Sequence, residues 1–402
     1  MATTRSGLGT VFAAGFVLFG IANTMSGPLL PSLRLDYQLS LSQAGSLFSV
    51  QFAGFVLSVL VGGMIADTFG KRTFLLVGTA ILTCGLLLIG CFHNTWLLTL
   101  GFCTAGIGFG GFDAGLAPLV GDLNSERRAF ALNLLHTFFG VGAFLGPLGA
   151  GWIVASSLSW RYAYLAMAAC SFVFLLAFGA CRVRPPLREG KASPERFASL
   201  LVDKRLVLLG ALICVYVGLE SGVSAWMFSF LTETLRTTPE VGTSAVSLFW
   251  ASLTLGRLLS AYASERLGHE LFVLCCCVGA ILTSALGLFA TTGMGARAAV
   301  VSFVSLGFFF SGIFPTVVAQ GTSLFPSSTG SVTGMLVAAG AVGGAILPGL
   351  IGLVSDAYSL GRGMALIPLG CGVMLVLSAV NEHLARERRA RGGAAQVPAS
   401  EN

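Results

Sequence analysis

Apolar stretches of about 20 residues recur along the whole chain, at 9–31, 43–66, 74–93, 97–120, 130–155, 161–181, 206–231, 243–263, 271–291, 298–322, 331–354 and 364–384. A run of that length is what a helix needs to cross a hydrocarbon core ~30 Å thick. Twelve such runs, here called spans 1 to 12, leave short connectors and little chain for a water-facing domain. The expected fold class is an all-α integral membrane protein of twelve transmembrane helices. Composition agrees, with 55% of the 402 residues hydrophobic and only 10% charged. The 53 glycines against 13 prolines suit membrane helices, in which small residues let backbones approach closely. The first apolar run continues from near Leu8 to about Leu30, long enough to be a retained helix and too long for a cleaved signal segment.

One connector stands apart, a basic stretch from Arg182 to Arg205 that carries Pro185, Pro186 and Pro194. It divides the chain into an N-terminal six-helix bundle (1–181), a cytoplasmic linker (182–205), a C-terminal bundle (206–385) and a basic tail (386–402), the tail expected to be mobile and solvated. With the N-terminus inside, seventeen of the 23 lysines and arginines fall on the linker side and five on the other, with Arg257 left within span 8. By the positive-inside rule both termini face the cytoplasm of a plasma (inner) membrane. The net charge of +6 is thus a topology signal and gives no reason to expect nucleic-acid binding. The ten cysteines lie almost wholly in apolar runs without metal-ligand spacing, so neither a disulfide framework nor a metal site is expected.

The halves repeat. After span 2 the chain reads Gly63 to Ala66, Asp67, Thr68, Phe69, Gly70, Lys71, Arg72, and after span 8 it reads Ser264, Glu265, Arg266, Leu267, Gly268, His269. Acid and glycine recur at one offset of 198 residues. An acid at a helix end, a glycine for a tight turn and adjacent cations are expected to form an interhelical charge cluster that breaks when helices rock apart. Asp67, Gly70, Lys71, Arg72, Arg257, Glu265 and Arg266 are therefore candidate gating residues.

The first copy resembles the G-x-x-A-D-x-x-G-R/K-R/K loop of the major facilitator superfamily, with Thr68 in place of the usual arginine. More specific stretches are similar to the fucose permease branch. These are Tyr216-Val217-Gly218-Leu219-Glu220 with Trp226, Leu132 to His136 leading into Gly142 and Gly146-Pro147, and Gly312 to Thr316. The resemblance implies two pseudo-symmetric six-helix bundles around a central cavity that opens to each side in turn. It also places a sugar-contacting residue at His136 and an aromatic one at Trp226. In the branch pattern span 4 carries acid-x-x-x-Asn-Pro; Asp113 and Pro118 match, while Ala117 replaces the asparagine and Gly27 stands where span 1 carries a second acid. Glu220 stands where the pattern has glutamine.

Only Asp113 and Glu220 are acids deep within apolar spans, and an acid at a helix centre costs about 2.5–3.5 kcal/mol on insertion scales. Both are proton-coupling candidates, because a carboxyl at a low-dielectric cavity holds its proton more tightly and releases it on reorientation. The alternative is a neutral acid that ties two helices together. Asn23, Gln51, Asn133, His136, Glu220, Trp226 and Gln320 are candidate substrate-binding residues. Amides and an imidazole both donate to and accept from hydroxyls, although each amide alone more often bridges helices. For Arg257 the bland expectation is a side chain reaching toward the cytoplasmic interface, the sharper one a gating ion pair. Gly106-Ile-Gly108-Phe-Gly110-Gly111 formally satisfies a dinucleotide fingerprint, yet it lies inside an apolar run and reads as a helix-packing groove. No P-loop or zinc-protease motif is present, and no enzymatic role is expected.

These features point to proton-coupled uptake of a monosaccharide or similar polar solute by a monomer, without a cofactor and with sodium as the competing coupling ion. Two further readings stand beside it: an efflux antiporter, suggested by the glycines around Pro147, and a ligand-binding membrane receptor or scaffold that does not cycle.

Overall fold

The computed structural model describes residues 2–181, 183, 200, 202–289 and 295–394. Among them every regular element is helical. Eleven helices are long and apolar enough to cross a membrane, and a bent pair makes the twelfth span. Most of the expected linker lies outside the described residues, and the helix of span 7 already begins at Lys204.

Proline positions account for the breaks. Span 1 consists of Ala2–Thr24 and Ser26–Tyr37, bent by 44°. Pro28 has no N–H to donate and its ring opposes the carbonyl four residues back, which belongs to Thr24, the last residue before the bend. The Thr24 hydroxyl donates to Gly20 O at 3.0 Å and to Ala143 O at 3.2 Å, so the bend is stitched to span 5. Span 10 breaks the same way, between Gly295–Phe310 and Ile313–Leu324, with Pro315 four residues after Ser311. Span 12 runs from Leu366 to Ala394 and is preceded by the short helix Leu360–Met364; Pro368, in the first turn of the longer helix, stands four residues after Met364, where the short one ends. The expected mobile tail is thus helical as far as residue 394, held along one face by the i,i+4 pairs Glu382 with Arg386 and His383 with Glu387; residues 395–402 lie outside the described set.

The remaining spans are Leu41–Phe69 (span 2), Lys71–Cys91 (3), Thr95–Leu123 (4), Arg128–Ala155 (5), Arg161–Ala180 (6), Lys204–Ser229 (7), Pro239–Leu267 (8), His269–Phe289 (9) and Thr329–Ala357 (11). Helices of 29 residues extend ~43 Å, longer than the core they cross. Two hydrophobic cores form. One is built from the first half, Phe12 to Val183; the other from the second half, joined by Leu30, Ala44, Phe48 and Ala143 of the first. Many large apolar side chains point outward, among them Leu255, Leu258 and Leu259, as a lipid-facing surface requires.

The internal repeat is visible in the backbone. Gly70 has φ 84° and ψ 146°, and Gly268 has φ 82° and ψ 145°. This region is nearly closed to residues with a Cβ, so the glycines shared at one offset make one turn twice.

The bundles touch mainly through span 2 against span 11 and span 5 against span 8, and the first contact is graded along its length. Toward the end remote from the linker, a Cβ on Gly344 would come within 2.6 Å of the Phe52 ring, one on Gly349 within 2.6 Å of Ser49 Oγ, and one on Gly352 would collide with the Leu41 carbonyl. At the linker end of the same helix, Gly330 and Gly334 face open space. Among the described residues, the polar contacts between the two bundles gather at the same remote end. At the remote end Arg34 meets Glu233 at 3.1 Å, and Asp356 accepts the backbone N–H groups of Leu41 and Ser42 at 2.8 Å each. The bundles therefore splay apart toward the linker end.

Candidate functional site

Between the splayed bundles lies a cavity of about 560 Å³, lined from spans 1, 2, 4 and 5 on one side and 7, 8, 10 and 11 on the other. Each polar group on its wall is carried by a helix, so its depth follows from its register. Asp113 is ten residues from the linker end of span 4, His136 eight from the start of span 5, and Arg257 ten from the end of span 8. At 1.5 Å per residue all three lie ~12–15 Å in. Glu220 sits sixteen residues into span 7, ~24 Å deep, with Tyr216 one turn above it on the same face.

Of the residues singled out in the sequence, Asp113, Glu220, Asn23, Gln51, His136 and Arg257 reach this wall. No hydrogen bond or ion pair ties down Asp113 among the described residues. Glu220 faces Tyr216 and Arg257, and Arg257 in turn faces His136 across the gap between bundles. None of these contacts is a direct ion pair. The Tyr216 hydroxyl is buried within electrostatic reach of Glu220 and Arg257, yet neither it nor Arg257 Nε has a hydrogen-bond partner of ordinary geometry. Neither expectation for Arg257 holds: the side chain does not reach for the interface, and it closes no gate pair. It is a cavity cation, turned inward by its register beside Trp250 and Leu253, whereas Leu255, Leu258 and Leu259 take the lipid face.

Three other expectations are corrected. Trp226 is fully buried, and its indole N–H donates to Pro348 O at 2.9 Å, so it anchors span 7 to span 11 without touching the cavity. The tryptophan on the wall is Trp250, whose ring meets Phe139 of the other bundle edge-on at 6.0 Å. Gln320 is buried and accepts from Asn381 Nδ2 at 2.8 Å, and Asn133 is exposed away from the cavity. Both amides face elsewhere because their helix positions lie off the stripe that lines the cleft.

The gating loops also differ from expectation. Lys71 pairs with Asp122 at the end of span 4, and Arg72 donates to the carbonyls of Gly179 and Cys181 at 2.7 and 3.1 Å, so both cations work within the N-terminal bundle. Asp67 lies outside the residues whose side chains are described. In the second copy Glu265 is exposed and Arg266 lies over the Tyr262 ring at 4.3 Å, while the ion pair is made by Glu270 and Arg205 at 3.0 Å. The second loop's pairing thus shifts to Glu270, which stands 198 residues after Arg72 and carries the opposite charge.

Two departures noted in the sequence gain a physical reason. A Cβ on Gly27 would collide with the carbonyl of Ser224, so span 1 crosses span 7 too closely there for the acid of the branch pattern. The glycine run of span 4 packs against neighbouring helices as a groove would: a Cβ on Gly106 would collide with the Gln51 backbone, and one on Gly111 would come within 2.8 Å of Gly78 Cα.

Comparisons with known proteins place this geometry. The cis,cis-muconate transport protein of Acinetobacter baylyi is 25% identical over 369 residues, covering 87% of this chain and 88% of that protein. A glucose/galactose transporter of Brucella abortus is 25% identical over 380 residues, 89% of each. The crystal structure of the E. coli fucose:proton symporter superposes with a TM-score of 0.65 at 18% identity, covering 93% of this chain and 98% of that one. The family model for the Major Facilitator Superfamily matches residues 12–348, and with the twelve-span fold and central cleft in place, the chain belongs to that superfamily.

Proposed function

We propose that the chain is a secondary active transporter that carries a small polar, sugar-like solute by alternating exposure of the central cavity, with protons as the coupling ion. The observation that carries this reading is the placement of Asp113 and Glu220, one from each bundle, on the wall of a cavity sealed at one end and splayed at the other. Each acid costs about 2.5–3.5 kcal/mol to place at the centre of a membrane helix, a cost that a protein without a proton cycle has little reason to bear. The excess of cations at the linker end supports a cytoplasmic linker with both termini inside, in a plasma membrane, and in that orientation the cavity opens inward in this state. Similarity to a sugar carrier and to a carrier of a small organic acid supports a compact polar solute.

The test is a solute screen in proteoliposomes with imposed pH or sodium gradients, comparing the parent with Asp113→Asn. The expected result is gradient-driven accumulation by the parent, lost in the variant while exchange of solute at equal concentration continues. Accumulation unchanged by the substitution removes Asp113 from coupling, and accumulation that follows sodium alone replaces the proton.

One observation favours efflux as the second reading. Seven phenylalanines line the cavity, a surface suited to amphipathic compounds. Export of such compounds by inverted vesicles, with no uptake of sugars, would select it.

A further inference from the structure

The coupling reading uses Asp113 and Glu220 and leaves Arg257, the only arginine among the described residues of the cavity wall, without a task. We propose that the transported solute carries a carboxylate, which docks on the Arg257 guanidinium and the Tyr216 hydroxyl with His136 facing it from the other bundle. This inference rests on the central cavity being the solute site.

Three features of the wall lead there. The first is its composition. Phe19, Phe48, Phe52, Phe55, Phe109, Phe139 and Phe314 line it with Trp250, while Asn23 and Gln51 are the only amides among the described residues there. A neutral sugar presents a hydroxyl on nearly every carbon, and most of them would meet rings that cannot hydrogen-bond. A solute with one charged head and an otherwise weakly polar body leaves fewer groups unpaired.

The second is unused hydrogen-bonding capacity. Arg257 Nε and the Tyr216 hydroxyl are both buried on adjacent helices, and neither has a hydrogen-bond partner of ordinary geometry, the hydroxyl lying loosely between Glu220 and Arg257. A guanidinium offers parallel N–H donors that match the two oxygens of a carboxylate, and a phenol adds a third donor. His136, on the opposite bundle, is the remaining titratable group close to the arginine. A head bound among these three side chains would touch both bundles at once.

The third is charge balance. Glu220 lies one helical turn from Tyr216 and interacts with Arg257 without forming a direct ion pair, so it is a partial counterion. An incoming carboxylate competes with it for the same cation. With both carboxylates ionised beside a single arginine the site holds excess negative charge, which a proton on Glu220 removes. An anionic head therefore links solute binding to proton uptake through Arg257.

The full-length protein is tested by equilibrium binding of two matched pairs of labelled probes, glucuronate with glucose and benzoate with benzamide, followed by exchange of the same probes in proteoliposomes. The parent is expected to bind at least one carboxylate ten-fold or more tightly than its neutral counterpart. Arg257→Gln should abolish that preference, with a far larger loss for the carboxylate than for its neutral counterpart, and Arg257→Lys should restore part of it. Glu220→Gln should tighten carboxylate binding several-fold, a direction that damage to the fold would not produce. If Arg257→Gln fails to fold, Tyr216→Phe serves in its place, with a several-fold loss for the carboxylate alone. Equal or tighter binding of the neutral probes, a carboxylate preference that survives Arg257→Gln, or no carboxylate binding by the parent overturns the proposal. Carboxylate binding without exchange of any probe overturns the transport reading instead and leaves the anion site standing.

Discussion

The carboxylate of Asp356, at the end of span 11, accepts the backbone N–H of Leu41 at 2.8 Å across the interface between the two bundles, and its other oxygen takes Ser42 N–H at the same distance. Span 2 already has its own cap, Ser40, whose hydroxyl accepts from Gln43 N–H. The free amides of its first turn are thus shared between a local cap and an acid from the opposite bundle.

Removing that acid should loosen the closed end selectively. Asp356→Ala takes away one helix cap, about 1 kcal/mol, and so shifts a two-state balance about five-fold toward opening there. Double electron–electron resonance between spin labels at Gln38→Cys and Ser359→Cys, in a background without native cysteines, reads the shift. An unchanged distance distribution would show that the cap does not contribute to closure.

Arg34 and Glu233 make the second bridge at that end, both partly exposed. A pair in such a setting contributes less than about 1 kcal/mol, so single truncations should have small effects. Reversal is the sharper test. Arg34→Glu sets two like charges together and should favour an open remote end, and adding Glu233→Arg should restore the original distribution.

The glycine gradient on span 11 predicts opposite consequences for one kind of substitution. Gly349→Val drives a side chain into Ser49 and should oppose closure of the remote end by about 1–3 kcal/mol. Gly334→Val meets open space in this state and should leave it undisturbed, yet obstruct any state in which the linker end closes. Accessibility of each end to a membrane-impermeant thiol reagent, measured for both variants, checks the pair.

Trp226 and Trp250 should separate stability from recognition. Trp226→Phe leaves the Pro348 carbonyl without its donor and should cost about 1 kcal/mol in thermal unfolding, with little change in solute affinity. Trp250→Leu removes a ring from the cavity wall and should alter affinity while shifting the melting temperature less.

The twelve spans, the repeat and the two intramembrane acids were legible in the sequence because each is a one-dimensional signal: length in an apolar run, a fixed offset, a charge where charge is costly. Helix orientation was not, since facing depends on which neighbour packs on which stripe. Trp226 and Glu220 share span 7 six residues apart, and that separation turns one toward the cavity and the other into the contact with span 11. Arg257 was misjudged because counting turns to the helix end gives its depth and says nothing of its azimuth. Tyr216 was within view, four residues before Glu220 and so on the same helix face, but a phenol in an apolar run reads as core. The missing acid of span 1 had a cause no sequence could display, the carbonyl of Ser224 lying where a side chain at Gly27 would begin.

The phenylalanine-rich wall also bears on leakage. In the proposed cycle the bundles must close over the cavity from the linker side, and the rings that line it at and beyond the depth of Asp113 expel water and offer no oxygen or nitrogen along which protons could hop. A dry seal of that kind interrupts any continuous water wire past Asp113, so an empty carrier could change its exposure without short-circuiting the ion gradient that drives it.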